Sequence, residues 1–215
     1  MTFKDKVAVV TGGAQGIGKC IAECFRQEGA TVHVIDIQQG PWFVGDLADK
    51  ATLESFAGDV IAKSGKVDVL VNNAMPLFKG IDKCSYEEFA YAQAVGVVAP
   101  FYLAKLFRDR FAEGASIVNI SSSRDRMSQP QSESYTAAKG GIAALKGKTV
   151  CLFQTHGGGG MQSLGRDFAA LLPESKVLAP KAFAGSSIKS SIKALEEFAT
   201  ERISGQSMCS PAARN

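Results

Sequence analysis

The sequence has little excess charge of either sign. Its 215 residues include 24 Lys and Arg against 21 Asp and Glu, a formal net charge of +3, and the basic residues are scattered among the acidic ones. Nucleic acids and anionic membrane surfaces are usually bound by concentrated basic patches. We therefore expect no nucleic-acid partner and a site for a small molecule instead.

Long apolar runs and paired cysteines are also scarce. No apolar segment approaches the roughly 18 residues of a membrane span, and the start, MTFKDKVAVV, leads with charged residues into a short strand rather than a secretory signal. The five cysteines are an odd number without CxxC spacing, which argues against a disulfide framework or a zinc site. The expectation is a cytoplasmic protein with no membrane partner and no bound metal.

Apolar runs of strand length alternate with segments of helical period, a pattern typical of an α/β chain with a parallel sheet. At 215 residues with 46% hydrophobic content, residues 1–215 are expected to form a single α/β domain. The apolar strands predict burial on both faces, hence three layers. Strands are predicted at 7–11, 31–36, 42–45, 67–72, 116–120, 149–154 and 176–183. Helices are predicted at 16–28, 50–64, 86–110 with a break before Pro100, 133–146, 162–172 and 187–203.

The connection between Asp36 and Trp42 departs from this pattern. Only IQQGP separates them, whereas a crossover between parallel strands usually takes about a dozen residues or more. We expect a bare loop at this point instead of a helix.

The segment VAVVTGGAQGIGKC places Gly12, Gly16 and Gly18 between an apolar strand and an amphipathic helix. Glycines in this position allow a sharp turn, close approach of a pyrophosphate to the backbone, and tight packing of helix on strand. Asp36 ends the next strand, 18 residues after Gly18, where a carboxylate can accept hydrogen bonds from the adenosine ribose and would repel a 2′-phosphate. The pattern predicts an NAD site rather than an NADP site, with a simple turn residue as the alternative for Asp36.

Four motifs, TGGAQGIG, NNA at 72–74, IVNISS at 117–122 and YTAAK at 135–139, resemble those of the short-chain dehydrogenase/reductase family in order and spacing. The resemblance covers roughly residues 1–146. It implies a Rossmann-like fold, an oxidoreductase acting on an alcohol or carbonyl, and a cofactor held by the glycine turn and by acids after the second and third strands. The cofactor residues so implied are Gly12, Gln15, Gly16, Ile17, Gly18, Asp36, Asp46, Leu47, Asn73, Ala74, Tyr135 and Lys139.

The resemblance also implies catalytic roles for Ser122, Tyr135 and Lys139. A secondary alcohol loses hydride only if its hydroxyl proton is removed as the carbonyl forms, and Tyr135 would be the base. Lys139, one helical turn later, would lower the pKa of that tyrosine, and Ser122 would hydrogen-bond the substrate oxygen. Taken singly, each could be an ordinary surface side chain.

Two positions in this region depart from the family pattern. Gly96 stands where the family commonly has an asparagine that maintains a water relay, which puts proton relay in doubt. Met75 stands where NNA is normally followed by glycine, and it is expected to crowd the cofactor cleft.

Residues 147–203 resemble a different family. GKTVCLFQTHGGGG, LGRDFAALLPESKVL and SIKSSIKALEEFA are similar to the C-terminal strands and helices of flavodoxins, and neither a Pro-Gly motif nor a substrate lid follows Lys139. The loop after the first strand lacks the hydroxyl-rich character of a flavin phosphate site, so FMN binding is not expected. The chain is thus interpreted as an engineered or recombined chimera, with strand order 3-2-1-4-5-6-7 in one doubly wound sheet and a flexible tail at 204–215.

Three functional hypotheses follow from the sequence. The first is a chimera that binds NAD with little or no turnover, since a missing lid would leave water in the site and the substrate poorly placed. The second is an active NAD-dependent oxidoreductase, and the third is a folding scaffold without a ligand. Oligomeric state stays open.

Overall fold

The computed structural model describes residues 2–75, 79–125, 129–144, 153–156 and 181–184. Five parallel strands form the main sheet: β1 (Val7–Thr11), β2 (Thr31–Asp36), β3 (Phe43–Val44), β4 (Val67–Asn72) and β5 (Phe111–Asn119). Their order is β3-β2-β1-β4-β5. The predicted Rossmann-like α/β sheet and its 3-2-1-4-5 order are confirmed.

The helices connect these strands. They are α1 (Gly16–Gln27), α2 (Lys50–Ser64), α3 (Tyr86–Gln93), α4 (Ala99–Leu106) and α5 (Glu133–Ala143), with short 3₁₀ turns at Arg108–Arg110 and Ser123–Asp125. Residues 37–42 join β2 to β3 without a helix, as the short connection predicted.

Side chains of the strands alternate between two buried clusters. Val9, Ile35 and Leu70 pack with Phe56 of α2 and Leu103 of α4. Ala8 and Val10 pack with Ile21 of α1. Because successive strand residues point to opposite faces, the two clusters place helices on both sides of the sheet and give the predicted three layers.

The break predicted before Pro100 is a π-helical turn at Ala94–Val98, between α3 and α4. The backbone N–H of Ala99 donates to the carbonyl of Ala94, five residues earlier. Proline has no N–H, so Pro100 cannot donate to the carbonyl of Gly96 and its ring crowds that carbonyl. A wider turn relieves the conflict.

The continuous helix Tyr86–Leu106 has 21 residues and contains an 18-residue window with a mean hydropathy of 1.3, so it is long and apolar enough to cross a membrane. The expectation that no segment approaches this length is therefore wrong. Length and composition are all that this criterion measures, and a helix in a protein core satisfies it equally. Here Ala92, Val95 and Leu103 of the helix are buried within the protein.

The carboxyl-terminal strands differ from the prediction. β6 (Phe153–His156) and β7 (Lys181–Ala184) pair with each other in parallel and form a separate two-stranded sheet. Within the described ranges no ladder joins β6 to β5, so the predicted continuation of the order through strands 6 and 7 is not observed. An apolar pattern favours strand formation but does not specify which edge a strand pairs with. The helices predicted at 162–172 and 187–203 and the tail at 204–215 lie outside the described residues.

Candidate active site

The turn between β1 and α1 has a backbone that requires glycine. Gly12 and Gly16 have φ of 67° and 55°, in the left-handed region that other residues rarely adopt. A Cβ on Gly18 would lie 2.1 Å from the carbonyl oxygen of Gly12, so Gly18 allows the close packing of helix against turn. A Cβ on Gly16 would meet no atom within 4 Å. The turn is thus tight on its inner side and open beside Gly16.

The amino terminus of α1 lacks the side-chain caps that α2 and α3 have. The N-cap residue of α1, Gln15, makes no side-chain capping hydrogen bond, and the first turn contains no acid. By contrast, Asp49 caps α2 and Ser85 caps α3. Uncapped amides and the helix dipole favour an anion at such a terminus.

Asp36 links the end of β2 to the glycine turn. It is 7% exposed; its Oδ2 accepts a hydrogen bond from the backbone N–H of Ala14 at 2.9 Å, and its Oδ1 accepts one from Gln38 N–H at 3.0 Å. The bond from Gln38 N–H, two residues later, is of the kind that a turn residue accepts. The alternative interpretation, in which Asp36 is a turn residue, therefore describes one of its two contacts. The same side chain also lines the cavity described below.

Asn73 braces the glycine turn from the end of β4. Its Nδ2 donates to the carbonyl oxygens of Thr11 and Gly12 at 3.1 and 2.9 Å. The backbone N–H groups of Asn73 and Ala74 both donate to Thr11 Oγ1 at 3.1 Å. These bonds fix the turn relative to the carboxyl edge of the sheet.

One cavity of about 520 Å³ runs along this edge and joins the glycine turn to Tyr135 and Lys139. Eleven of the twelve predicted cofactor residues line it; the exception is Gly18, whose role is packing. Met75 also lines the cavity; whether it crowds a cofactor there stays a prediction. The lining residues that were not predicted for this site are Ile37, Gln38, Gly45, Tyr91, Val95, Ile120 and Ser121. Within the described ranges, no three or more His, Cys, Asp or Glu side chains group as a metal site.

Lys139 is buried beside Tyr135. It is 4% exposed, and its Nζ donates to the carbonyl oxygen of Ile120 and lies 5.6 Å from the centroid of the Tyr135 ring. Burial lowers the pKa of Lys139 from its usual 10.5 to about 8, while the Asp125 carboxylate opposes the shift. The arrangement places a cation against the tyrosine, as the YTAAK spacing predicted.

Ser122 does not line the cavity. Its Oγ accepts a hydrogen bond from the backbone N–H of Arg124 at 3.3 Å, and its neighbour Ser121 lines the cavity instead. The structure therefore brings Tyr135 and Lys139 together with the predicted cofactor residues, and leaves Ser122 outside this set.

Hydrogen bonds with Lys79, before α3, and with Gln93, the last residue of α3, fix the start of α5, which carries Tyr135. Ser134, 1% exposed, donates from Oγ to the carbonyl oxygen of Lys79 at 2.9 Å and accepts from Lys79 N–H at 3.0 Å. Gln93 Nε2 donates to the Ser134 carbonyl at 3.0 Å. These bonds hold the first turn of α5, and with it the backbone of Tyr135.

Gly96, which stands at the asparagine position of the family pattern, lies in the π-helical turn against α5. A Cβ on Gly96 would lie 2.7 Å from Cβ of Ala138. The missing side chain therefore lets the turn approach the helix that carries Lys139.

Tyr91 is a lining residue that was not predicted, and its side chain bonds to another lining residue. Its hydroxyl donates to Asp46 Oδ1 at 3.2 Å. Tyr91 and Val95 are four residues apart and so share a helix face, and both line the cavity. That spacing was the available signal, but apolar and aromatic residues at helical spacing more often indicate a core face.

A family model described as short chain dehydrogenase matches residues 6–157. A protein described as an uncharacterized oxidoreductase from Thermotoga maritima is 33% identical over 162 residues, which cover 66% of this chain and 63% of the relative. The chain thus spans less than two thirds of the length of that relative. The family match extends past the junction predicted at residue 146, and the flavodoxin-like origin of residues 147–203 stays a prediction.

Solved structures show the same fold. An apo SCOR enzyme from Clostridium thermocellum has a TM-score of 0.66 and 32% identity, covering 88% of this chain and 84% of that one. A metagenomic short-chain oxidoreductase in complex with NADP has a TM-score of 0.69, covering 86% of this chain and 99% of that one. At 23% identity, the second likeness concerns the fold alone.

Proposed function

Because the chain belongs to the short-chain dehydrogenase family, we propose that it binds NAD in the 520 Å³ cavity and transfers hydride between this cofactor and a secondary alcohol or its carbonyl. The observation that carries the proposal is the continuity of the cavity. It connects the glycine turn and Asp36 to Tyr135 and Lys139 without a break.

The residues present fit a dinucleotide. The open space beside Gly16 and the uncapped amides of α1 would hold the pyrophosphate. Asp36 would accept hydrogen bonds from the adenosine ribose and repel a 2′-phosphate. Lys139 is the only Lys or Arg among the described lining residues, so no lining cation would bind that phosphate at the Asp36 end. These features support NAD over NADP.

Tyr135 and Lys139 would handle the proton. A bound nicotinamide supplies the hydride acceptor or donor. The phenolic oxygen of Tyr135 would take the hydroxyl proton of the alcohol in oxidation and return it in reduction. The Lys139 ammonium, held by the Ile120 carbonyl, would stabilise the phenolate by proximity of positive charge.

A second candidate is cofactor binding with little turnover. Ser122, the proposed donor to the substrate oxygen, lies outside the cavity lining, and Gly96 supplies no side chain for a proton relay. Loss of one preorganised donor to a developing oxyanion costs about 10²- to 10³-fold in rate.

Turnover under saturating NAD separates the two candidates. A panel of secondary alcohols is screened at 340 nm with the wild type, with Tyr135→Phe, and with Tyr86→Phe as a control on an exposed tyrosine. Turnover that is lost only in Tyr135→Phe supports the oxidoreductase. Equal background rates in all three, with NADH bound, support binding without turnover. A wild type that does not bind NADH contradicts both and favours the scaffold.

A further inference from the structure

Tyr91 joins two parts of the cavity wall that are distant in sequence. It lies on α3, which follows β4, and its hydroxyl reaches Asp46 in the loop after β3, 45 residues earlier. Val95, one helical turn later and 6% exposed, lines the same cavity, as does Leu47 beside Asp46. This part of the wall therefore combines apolar side chains with one carboxylate.

Two hydrogen bonds fix the orientation of the Asp46 carboxylate. Its Oδ1 accepts from Tyr91 Oη at 3.2 Å and from the backbone N–H of Ala48 at 2.8 Å. No described residue donates a hydrogen bond to Oδ2. With Oδ1 occupied twice, Oδ2 is the oxygen left to accept from a ligand.

The Tyr91 hydroxyl stays a donor through neutral pH. Burial and the negative charge of Asp46 raise the pKa of Tyr91 above its usual value. Tyr91 therefore remains the donor and Asp46 the acceptor of this hydrogen bond at every pH at which the cofactor would bind.

The family resemblance implies that Asp46 lies beside the adenine. We propose that Tyr91 is a positioning residue for that contact, holding Asp46 so that Oδ2 accepts a hydrogen bond from the exocyclic amine. The inference rests on the proposed function, because it assumes that the dinucleotide occupies this cavity. A carboxylate can only accept, so it favours adenine over hypoxanthine, which carries a carbonyl oxygen in place of the amine.

The test compares NADH with reduced nicotinamide hypoxanthine dinucleotide by fluorescence titration. The variants are Tyr91→Phe, Asp46→Ala, the double variant, and Tyr86→Phe, whose tyrosine on the same helix is 84% exposed. The wild type is expected to prefer NADH by about tenfold, and Tyr91→Phe to reduce that preference by about three- to tenfold, the effect of one hydrogen bond. Asp46→Ala should abolish the preference, and Tyr91→Phe should then add nothing. Tyr86→Phe should behave as the wild type.

Other outcomes overturn the proposal. An unchanged preference in Tyr91→Phe shows that the hydroxyl does not position Asp46. Equal weakening of both dinucleotides shows a general effect on the fold instead. A wild type that binds NADH without preferring it rejects this inference and leaves the proposed function standing, whereas a wild type that binds neither dinucleotide rejects both.

Discussion

Burial of Lys139 has consequences for stability as well as for the site. Its pKa falls to about 8 when folded, against roughly 10.4 for an unfolded lysine. Between these two values the unfolded chain binds more protons than the folded one, so stability rises with pH across this window. At neutral pH the charged lysine beside Tyr135 therefore lowers the free energy of unfolding.

Replacing Lys139 with methionine should remove this pH dependence. Relative to Lys139→Met, the wild type is expected to gain about 3 kcal/mol of unfolding free energy as the pH rises from 7 to 10.5. Urea unfolding of both proteins at a series of pH values measures the difference. If the unfolding free energies of the two proteins change equally with pH over this range, the lysine is not buried in its charged form.

Substitution of Ile17 can test the proposed pyrophosphate site without destabilising the fold. It lies in the first turn of α1, is 41% exposed and lines the cavity. Ile17→Asp should favour the helix by about 0.5 kcal/mol through its dipole, yet repel a pyrophosphate and weaken NADH binding by about tenfold or more. Ile17→Asn is the neutral control of similar shape. Thermal melts and NADH titrations check both effects, and equal NADH affinity in the two variants would exclude a phosphate at this terminus.

The sequence predicted those residues whose identity is required by a particular backbone conformation or by a charge at a particular position. Gly12 and Gly16 need left-handed backbone, and Lys139 follows Tyr135 by one helical turn. Tyr91 could not be predicted, because its partner Asp46 is brought near only by the tertiary fold. Motif spacing likewise identified Ser122 without indicating that its Oγ would face Arg124 N–H.

Among the helices, small residues determine how closely the π-helical turn approaches α5, which carries Tyr135 and Lys139. A Cβ on Gly96 would lie 2.7 Å from Ala138, and one on Gly141 would lie 2.7 Å from Cγ2 of Val97. The π-helical turn and α5 thus pack through two glycines. Added side-chain volume at this contact would displace the helix that holds Tyr135 and Lys139.

Gly96→Ala is expected to destabilise the protein by about 1–3 kcal/mol through overpacking. Gly58→Ala is the matched control, because Gly58 lies within α2 and a Cβ there meets nothing within 4 Å. That change should stabilise the protein by about 0.5–1 kcal/mol. Chemical denaturation measures both free energies. Stabilisation by Gly96→Ala would show that the π-helical turn and α5 are not in close contact at this position.

The sequence predicted which elements are present more closely than it predicted their form or their ends. Pro100 predicted the break but not its π-helical form, since proline specifies only which hydrogen bond is lost. β5 begins at Phe111, earlier than predicted, because Glu113 and Gly114, the latter with φ of 73°, interrupt the apolar strand pattern. A register shift between Val67 and Val69 accommodates this segment.

At the scale of the whole molecule, Asp68 ties the beginning of β1 to β4. It is 4% exposed and accepts from Val7 N–H at 2.9 Å, Lys6 Nζ at 2.9 Å and Lys66 Nζ at 3.0 Å. Burial opposes its ionisation, but these hydrogen bonds outweigh burial and lower the pKa of Asp68 below its usual 3.8. A depressed pKa means that the stabilisation is present above the unfolded pKa and is lost as pH falls through the folded one.

Asp68→Asn should lower the free energy of unfolding by about 1–3 kcal/mol at pH 7, and the deficit should disappear in strong acid. Asp109→Asn, at a residue whose side chain is 82% exposed, is the control and should change little. Denaturation at a series of pH values from 7 down to about 2 measures the two differences. A deficit that persists unchanged in acid would show that charge is not its source.

The order of the main sheet was predictable as a whole because the motifs fix each crossover of strands 1 to 5. The pairing of β6 with β7 was not, since parallel edges offer equivalent hydrogen-bonding groups to any strand. The family model matches residues 6–157, so the family's pattern gives less guidance over the remainder of the chain.

Paired titrations with NADH and NADPH test most directly whether the cavity selects NAD through Asp36, as proposed. The wild type should bind NADH at least about tenfold more tightly than NADPH. Asp36→Asn, which removes the charge at nearly constant shape, should reduce this difference in affinity between NADH and NADPH. Equal affinities for NADH and NADPH in the wild type, or no saturable NADH signal, would contradict the selection of NAD by Asp36.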